Sequence, residues 1–177
     1  MKFISETSGI EKLTQLRAEF AGTIRENYEH RAKSCSTCET PGACCLDEHF
    51  VNVHISRLEA AAIKKSIGKF SEEEQMVIYE RVERVIKRYG LTETGETFAK
   101  TYACPLFEKG IGCLVHDIAK PLPCIAHACY EQKEHLPPSE LLTRREIEIG
   151  KLNERVYGKS EPILPIPLAI RSTKQQS

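Results

Sequence analysis

The chain has 177 residues, of which 41% are hydrophobic and 28% are charged, enough apolar material for one domain with a substantial core. Its 25 Lys and Arg residues balance its 25 Asp and Glu residues, so the formal net charge is zero. This balance excludes a strongly basic nucleic-acid binder, because phosphate contacts need clustered positive charge, and it excludes an acidic disordered chain.

Four helices are predicted from apolar residues that recur every three or four positions. The first is expected over residues 8–31 and the fourth over about 139–157. A Ser-x-x-Glu capping box begins each of the first three helices, namely Ser8 with Glu11, Ser56 with Glu59 and Ser71 with Glu74. A glycine ends each of the last three, namely Gly68, Gly90 and Gly158.

The segments between these helices lack helical periodicity. Residues 34–50 are expected to be irregular, 51–55 to contain a short extended piece, and 91–136 to be mostly irregular. We expect residues 160–177 to form an extended tail, because prolines recur in it at Pro162, Pro165 and Pro167. The expected fold is therefore mainly α: one small domain over residues 1–177, with about four helices and two irregular cysteine-bearing loops that form a metal site.

The start of the chain has no apolar run of the length found in secretory signals, because residues 1–4 are followed at once by polar residues 5–8. No apolar run reaches the roughly 18 residues that span a membrane. We therefore expect a cytoplasmic location and no membrane partner. Thiols stay reduced in the cytoplasm, so clustered cysteines favour metal binding over disulfides.

Eight cysteines form two groups of four. The first group contains Cys35, Cys38, Cys44 and Cys45, and the second contains Cys104, Cys113, Cys124 and Cys129. The Cys35-x-x-Cys38 step places two sulfurs within reach of one ion, and thiolates select zinc, Cu(I) or iron–sulfur clusters over hard cations. A thioredoxin-like redox pair fits less well, because that motif is expected beside a βαβ unit. All eight cysteines, in a core over residues 35–129, are candidate metal ligands.

The adjacent pair Cys44 and Cys45 is unusual, because adjacent side chains in an extended chain point to opposite faces. Three interpretations are open: the two serve separate centres, one ligates while the other packs as a small buried thiol, or they form a strained vicinal disulfide. On the second interpretation, Cys45→Ser lowers the metal content less than Cys35→Ser or Cys38→Ser.

The number of centres is open at this stage. One tetrahedral zinc or one [4Fe-4S] cluster uses about four cysteines, so eight suffice for two centres, or for one centre and four other thiols. Gly110 and Gly112 allow tight turns before Cys113, and Pro121 and Pro123 stiffen the approach to Cys124. We expect the metal to connect the two groups and to contribute to folding, because neither irregular segment has a periodic apolar face.

Two histidines lie within the second cysteine group. His116 and His127 are candidates for a metal ligand, for a hydrogen-bond partner of a thiolate, or for an ordinary side chain. His49 and His54 follow the first group, and we expect both to be ordinary histidines.

The cysteine motifs resemble those of a known family. They are Cys35-x-x-Cys38, Gly42-Ala43-Cys44-Cys45, Cys104-Pro105-Leu106-Phe107, Gly112-Cys113-Leu114-Val115 and Lys120-Pro121-Leu122-Pro123-Cys124. Their order resembles the cysteine-cluster family of zinc- or iron-chelating domain proteins, which is related to the cysteine domain of the flagellin lysine-N-methylases. The sequence departs from the family pattern at Leu106-Phe107, where the family has Phe-Leu, at His116, where it has Tyr, and at Lys120 and Ile125, where it has Arg. These departures leave the cysteines intact.

The resemblance implies a metal centre, either iron–sulfur or zinc. In the methylase branch it implies a [4Fe-4S] cluster and methyl transfer from S-adenosylmethionine, but the chain has no glycine-rich nucleotide loop after a strand.

The spacing in the second group fits a zinc finger poorly, so we expect an iron–sulfur cluster for redox or cluster-assisted group-transfer chemistry. The alternatives are a structural zinc module that binds a protein partner and a metal chaperone. The sequence leaves open whether the protein is an enzyme and which substrate or partner it binds.

Overall fold

The described part of the chain is built from helices joined by short strands and turns. The computed structural model describes residues 2–33, 42–46, 52–94 and 96–174. The helices in these ranges are α1 (Glu6–Asn27), α2 (Arg57–Ile67), α3 (Glu72–Tyr89), α4 (His116–Ala119), α5 (Leu122–Ala126), α6 (Ser139–Tyr157) and α7 (Ile166–Lys174). The strands are β1 (Ala32–Lys33), β2 (His54–Ile55), β3 (Phe107–Glu108), β4 (Gly112–Cys113), β5 (Cys129–Tyr130) and β6 (Leu164–Pro165). The predicted mainly α fold class is confirmed.

Serine caps fix where α1, α2 and α3 begin. The predicted boxes at Ser56 with Glu59 and Ser71 with Glu74 are both formed. The box predicted at Ser8 is wrong, because Ser5 is the N-cap of α1 and its side chain accepts the Ser8 N–H at 3.2 Å. Ser5 lies three residues before the predicted cap and accepts a hydrogen bond from an N–H of the first helical turn, which has no backbone partner. The helix therefore starts after Ser5.

The ends of the helices follow from backbone conformation. Gly90 and Gly158 cap α3 and α6 with φ of +57° and +79°, as expected of glycines that end helices. The bounds of α6 match the predicted residues 139–157. Helix α1 stops at Asn27 rather than at 31, and the chain continues through a 3₁₀ turn at Glu29–Arg31.

The prediction of an extended tail over residues 160–177 is wrong for most of the tail residues that the structure describes. Leu164–Pro165 is a strand, but Ile166–Lys174 is helix α7. Pro167 lies in the first turn of α7, where the missing N–H has no intrahelical partner to lose. The exposed fraction is at most 1% for each of three α7 side chains, Ile166, Leu168 and Ile170. Their burial favours a helix packed in the core over a strand on the surface. Residues 175–177 lie outside the described residues.

Residues 91–136 contain more regular structure than predicted. They hold β3, β4, α4, α5, β5 and a 3₁₀ turn at Lys133–His135. These elements have two to five residues, too few for a periodic signal, and antiparallel pairing defines the strands. The extended piece expected at 51–55 is confirmed at His54–Ile55, while residue 51 lies outside the described residues.

The chain divides into two compact units, each made of two chain segments. Unit 1 comprises Met1–Pro41 and Lys120–Ser160, and unit 2 comprises Gly42–Ala119 and Glu161–Ser177. The prediction of a single domain over residues 1–177 stays a prediction, because segments that interleave in this way are compatible with one domain.

Unit 1 packs α1 against α5 and α6. Its buried apolar side chains include Leu13, Phe20, Ile24, Leu122, Ile149 and Leu152. Strands β1 and β5 pair antiparallel, with Lys33 opposite Cys129. The buried Arg17 of α1 donates to the Lys120 carbonyl oxygen at 2.6 Å and so connects the two segments of this unit.

Unit 2 packs α7 against α2 and α3, with β2 paired to β6. Its buried apolar side chains include Leu58, Ile63, Ile67, Val82, Leu106 and Leu168. Tyr102, which is fully buried, donates its hydroxyl to the Val53 carbonyl at 2.7 Å and accepts the Ile166 N–H at 3.1 Å. This hydroxyl joins the start of α7 to the segment that leads into β2. Across the described residues, no helix has both the length and the hydrophobicity needed to cross a membrane.

Candidate metal centre

Four of the eight candidate ligands lie in unit 2 and influence one another's pKa values. The Cys45 thiol hydrogen-bonds the Cys44 thiol, and it lies within electrostatic range of Cys104 and Cys113. The pKa of Cys104 is in turn raised electrostatically by Cys113 and Cys44. The set, Cys44, Cys45, Cys104 and Cys113, takes two members from each group seen in the sequence. We call it the unit 2 thiol cluster.

A 3₁₀ turn positions the vicinal pair. The turn spans Ala43–Cys45, follows Gly42 at φ +82°, and is closed by the Cys45 N–H donating to the Gly42 carbonyl at 2.8 Å. The expectation that the two side chains diverge is wrong, because it assumed an extended backbone, whereas a helical turn brings the two thiols into hydrogen-bond contact. Cys44 and Cys45 are not joined by a disulfide, so the vicinal disulfide is not formed.

A tight antiparallel pair of strands positions the other two thiols. Cys104 precedes β3, and Cys113 lies on β4 directly opposite Phe107. Gly110 and Gly112 have φ of +87° and +101°, so the predicted role of these glycines in a turn before Cys113 is confirmed. The Cys104 N–H donates to the Cys45 carbonyl at 2.8 Å, and this backbone bond joins the strand pair to the 3₁₀ turn.

Phe107 holds the same two segments together through its ring. A Cβ atom added at Gly42 would overlap the Phe107 ring, which means that the ring lies directly against the Gly42 backbone. Glycine is therefore required at position 42 for its positive φ and for this close approach.

Burial and hydrogen bonding set the protonation of these thiols. Desolvation raises the pKa of the Cys104 thiol to about 12, although backbone N–H groups of Leu106 and Phe107 donate to its sulfur and act in the opposite direction. The bond to Cys44, followed by burial, raises the pKa of Cys45. Catalytic thiols generally have lowered pKa values, whereas the pKa values of Cys45 and Cys104 are raised.

Arg81 of α3 contacts the segment that carries Cys104. Its Nη1 donates to the carbonyls of Pro105 at 3.3 Å and Phe107 at 3.0 Å, and its Nη2 lies 3.3 Å from the Glu108 carboxylate. Sequence reasoning did not single out Arg81 as a contact of this segment, because it is one of several charged residues of α3.

Two further candidate ligands, Cys124 and Cys129, belong to unit 1. Cys124 lies on α5, and Cys129 lies exposed on β5. Cys113, Cys124 and Cys129 are thus on short regular elements rather than in the irregular loops that we predicted. Cys35 and Cys38 lie outside the described residues. No disulfide joins any two of the six described cysteines.

The histidines take different positions. His54 is buried in unit 2, stacks on Phe98 with ring centroids 3.9 Å apart, and places Nε2 2.9 Å from the Thr97 hydroxyl. Burial lowers its pKa, which fits the ordinary structural role expected of it. His116 and His127 are exposed, and His49 lies outside the described residues.

The unit 2 thiol cluster is not arranged around a common point. Within residues 2–33, 42–46, 52–94 and 96–174, no three Cys, His, Asp or Glu side chains form a group that could hold a metal ion. Protonated thiols pair through their S–H groups, as Cys45 does with Cys44, whereas thiolates converge only around a cation that offsets their repulsion. All four side chains of the cluster carry sulfur, the donor type that soft metals prefer.

Comparisons of the chain with family models, with curated proteins and with solved structures found no match. The resemblance to the cysteine-cluster family therefore rests on the motifs quoted from the sequence.

Proposed function

We propose that this protein binds a metal through Cys44, Cys45, Cys104 and Cys113 and holds an iron–sulfur cluster there, for redox or cluster-assisted group-transfer chemistry. The observation that supports the proposal is that four thiols, from two distant parts of the chain, influence one another electrostatically within unit 2. An all-sulfur donor set of four is what one [4Fe-4S] cluster requires.

The surroundings of Cys104 support this proposal. Two backbone N–H groups donate to its sulfur, and the thiol is desolvated. Hydrogen bonds to sulfur stabilise a thiolate that carries negative charge, and together with solvent exposure they tune the reduction potential of a cluster.

The remaining features of the proposal follow from the sequence. A cytoplasmic location keeps the thiols reduced and able to bind metal. Cys35, Cys38, Cys124 and Cys129 are candidates for further ligands. The balanced charge argues for a protein or small-molecule partner and against nucleic acid.

A structural zinc site is the second candidate. The hydrogen bond between the Cys45 and Cys44 thiols places two sulfurs side by side. One tetrahedral ion with Zn–S distances of about 2.3 Å bridges sulfurs at such close separation. In that case the protein is a zinc-stabilised module for binding a partner.

Metal and sulfide analysis of anaerobically purified protein, with an absorption spectrum of the same sample, tests the proposal. We expect brown protein with about four irons and about four sulfides per chain. A colourless protein with zinc supports the second candidate, because Zn²⁺ has a filled d shell. Protein that takes up neither iron nor zinc contradicts both.

Cysteine variants test which thiols bind the metal. We expect Cys104→Ser to lower the metal content to less than about a tenth of the wild-type value, because it removes a ligand of the unit 2 thiol cluster. Cys129→Ser is the matched control from unit 1 and should keep most of the metal. Equal loss in the two variants would show that the unit 2 thiol cluster is not a centre by itself.

A further inference from the structure

We propose that residues 96–101 form a pH-sensitive flap over His54, which is closed while the imidazole is neutral and opens when the imidazole takes up a proton. We call this segment the Phe98 flap, after the aromatic residue that stacks on the histidine. The flap is independent of the proposed metal centre, since it depends on a histidine and not on the cysteines.

The Phe98 flap has one buried residue. It lies between two buried side chains, Leu91 and Tyr102, and the described residues 92–94 before it are exposed. Within the flap, Thr97 is 8% exposed, whereas the other five residues are exposed. A loop with few buried contacts opens at a low cost in free energy, so the contacts of Thr97 and Phe98 decide whether the flap stays closed.

The contacts of the flap converge on one histidine. The His54 Nε2 atom lies 2.9 Å from the Thr97 hydroxyl oxygen. The Phe98 ring stacks on the imidazole with centroids 3.9 Å apart and planes 12° apart. The Asn52 side-chain amide donates to the Phe98 carbonyl. Two of these three contacts involve His54, so its protonation state bears directly on the closed flap.

The hydrogen bonds of the ring define its neutral form. The Nδ1 atom of His54 lies 3.2 Å from the Asn52 carbonyl oxygen, which can only accept, so Nδ1 carries the proton. Nε2 then has a free lone pair, to which the Thr97 hydroxyl donates. When Nε2 is protonated as well, Thr97 can no longer donate to the ring.

A charge on the ring has no counterion in the closed flap. Among the described residues, the hydrogen-bond and ring contacts of His54 are to Asn52, Thr97 and Phe98, which are all uncharged. His54 is 9% exposed, and burial lowers its pKa, although the hydrogen bond with the Asn52 carbonyl acts in the opposite direction. A protonated ring is therefore better solvated when the flap is open.

The charged groups on the elements packed against β2 have other partners. Strand β6, which pairs with β2, contains no titratable side chain. On α7, Arg171 lies 3.5 Å from the Glu93 carboxylate. The Lys174 ammonium, also on α7, lies 4.7 Å from the centroid of the Tyr79 ring. The cations of α7 thus interact with groups other than the histidine.

The acids and bases next to the flap and to β2 are exposed or have other partners. Glu96 is exposed, and Lys100 donates to the Gly90 carbonyl at 2.6 Å. On α2, the Glu59 carboxylate accepts from the backbone N–H and the hydroxyl of Ser56, each at 2.9 Å. Three titratable residues that precede β2 lie outside the described residues, namely Asp47, Glu48 and His49. We therefore expect burial, rather than a paired charge, to dominate the titration of His54.

The closed flap also buries an unpaired acceptor. Asn52 Oδ1 is buried and has no hydrogen-bond partner among the described residues. A buried acceptor without a partner is unfavourable, and opening the flap returns it to water. This lowers the free energy needed to open the flap.

Proton uptake favours the open flap. In the open state the ring is solvated and its pKa returns toward about 6.5, whereas in the closed state the pKa is lower. The closed flap is therefore fully favoured above about pH 6.5 and is lost progressively as the pH falls below that value. Between pH 7.5 and 5.5 the ratio of open to closed protein rises by up to about tenfold.

A pH titration of the full-length protein by NMR tests the proposal. Long-range ¹H–¹⁵N spectra of the imidazole report the tautomer and the pKa of His54, and relaxation dispersion of the flap amides reports the open population. We expect the Nδ1–H tautomer at pH 7.5 and a pKa below about 6.5. We expect an open population about 3–10-fold larger at pH 5.5 than at pH 7.5.

Two variants identify the titrating group. In His54→Gln the side chain does not titrate in this range, so we expect the open population to be the same at both pH values. His30→Gln is the matched control, because His30 is an exposed histidine of unit 1. It should retain the wild-type rise in the open population.

The outcomes separate the flap from the metal centre. A wild-type His54 pKa at or above about 6.5 overturns the proposal even if His54→Gln does not fold. An open population that does not change with pH, or a rise that persists in His54→Gln, overturns it as well. None of these measurements depends on a metal, so the flap and the proposed function can each fail without the other.

Discussion

At the scale of single residues, Gly42 decides where two of the four clustered thiols lie. Its φ of +82° starts the turn that carries Cys44 and Cys45, and its missing side chain lets the Phe107 ring approach. The two requirements differ physically: one concerns the backbone of residue 42 and the other the space beside it. Gly110 has a similar φ of +87° but no neighbouring atom within 4 Å of an added Cβ. A substitution at Gly110 therefore tests the backbone requirement alone.

We expect Gly42→Ala to destabilise the protein by about 2–5 kcal/mol, from backbone strain of about 1–2 kcal/mol plus displacement of the Phe107 ring. The control, Gly110→Ala, carries the strain alone and should cost about 1–2 kcal/mol. Urea unfolding of both variants measures the difference. Equal losses would mean that the Phe107 ring moves aside at no cost.

At the scale of secondary structure, helix α7 shows where local pattern and tertiary environment disagree. Three prolines in a short segment favour an extended chain, but two of them precede the helix and the third lies in its first turn. The helix packs against α2 and α3 within unit 2 and buries Ile166, Leu168, Ala169 and Ile170. Nearly continuous apolar sequence is compatible with a strand or a buried helix, so periodicity alone could not decide between them.

We expect Leu168→Ala to destabilise the protein by about 2–5 kcal/mol, because Leu168 is fully buried and its truncation leaves a cavity. Ile163→Ala is the matched control, since Ile163 precedes α7 and is 48% exposed. It should change the free energy of unfolding by less than about 0.5 kcal/mol. Chemical denaturation monitored by circular dichroism provides both values, and similar losses would contradict the packing of α7.

At the scale of the whole molecule, local signals predicted the four longest helices, whereas long-range contacts decided which cysteines come near one another. Caps and apolar periodicity gave α2, α3 and α6 with their ends, because those interactions lie within a few residues of one another. The segments of Cys45 and Cys104 are joined by a hydrogen bond between backbone groups that are distant in the chain. No local sequence pattern in either segment predicts this bond. The sequence therefore identified the candidate ligands but could not pair them.

Metal removal should weaken the whole fold if the thiol cluster is a metal centre. At a metal concentration about 1,000 times Kd, binding contributes about 4 kcal/mol, which corresponds to about 8–16 °C in Tm for a chain of this size. We expect a decrease of this order when the metal is stripped, measured by calorimetry. Cys104→Ser is the control, and its Tm should be the same with and without chelator. A wild-type Tm that is unchanged after stripping contradicts a role of the metal in folding.

The interleaved segments of the two units also impose an order in time during synthesis. Residues 42–119 of unit 2 are made before Lys120–Ser160, yet the α7 side chains that complete their core come only afterwards. At about 5–20 residues per second, translation of the intervening segment takes several seconds. During that interval the apolar faces of α2 and α3 lack their α7 contacts, although Cys44, Cys45, Cys104 and Cys113 have already been made. The nascent chain thus carries all four thiols of the cluster before the core of unit 2 can close.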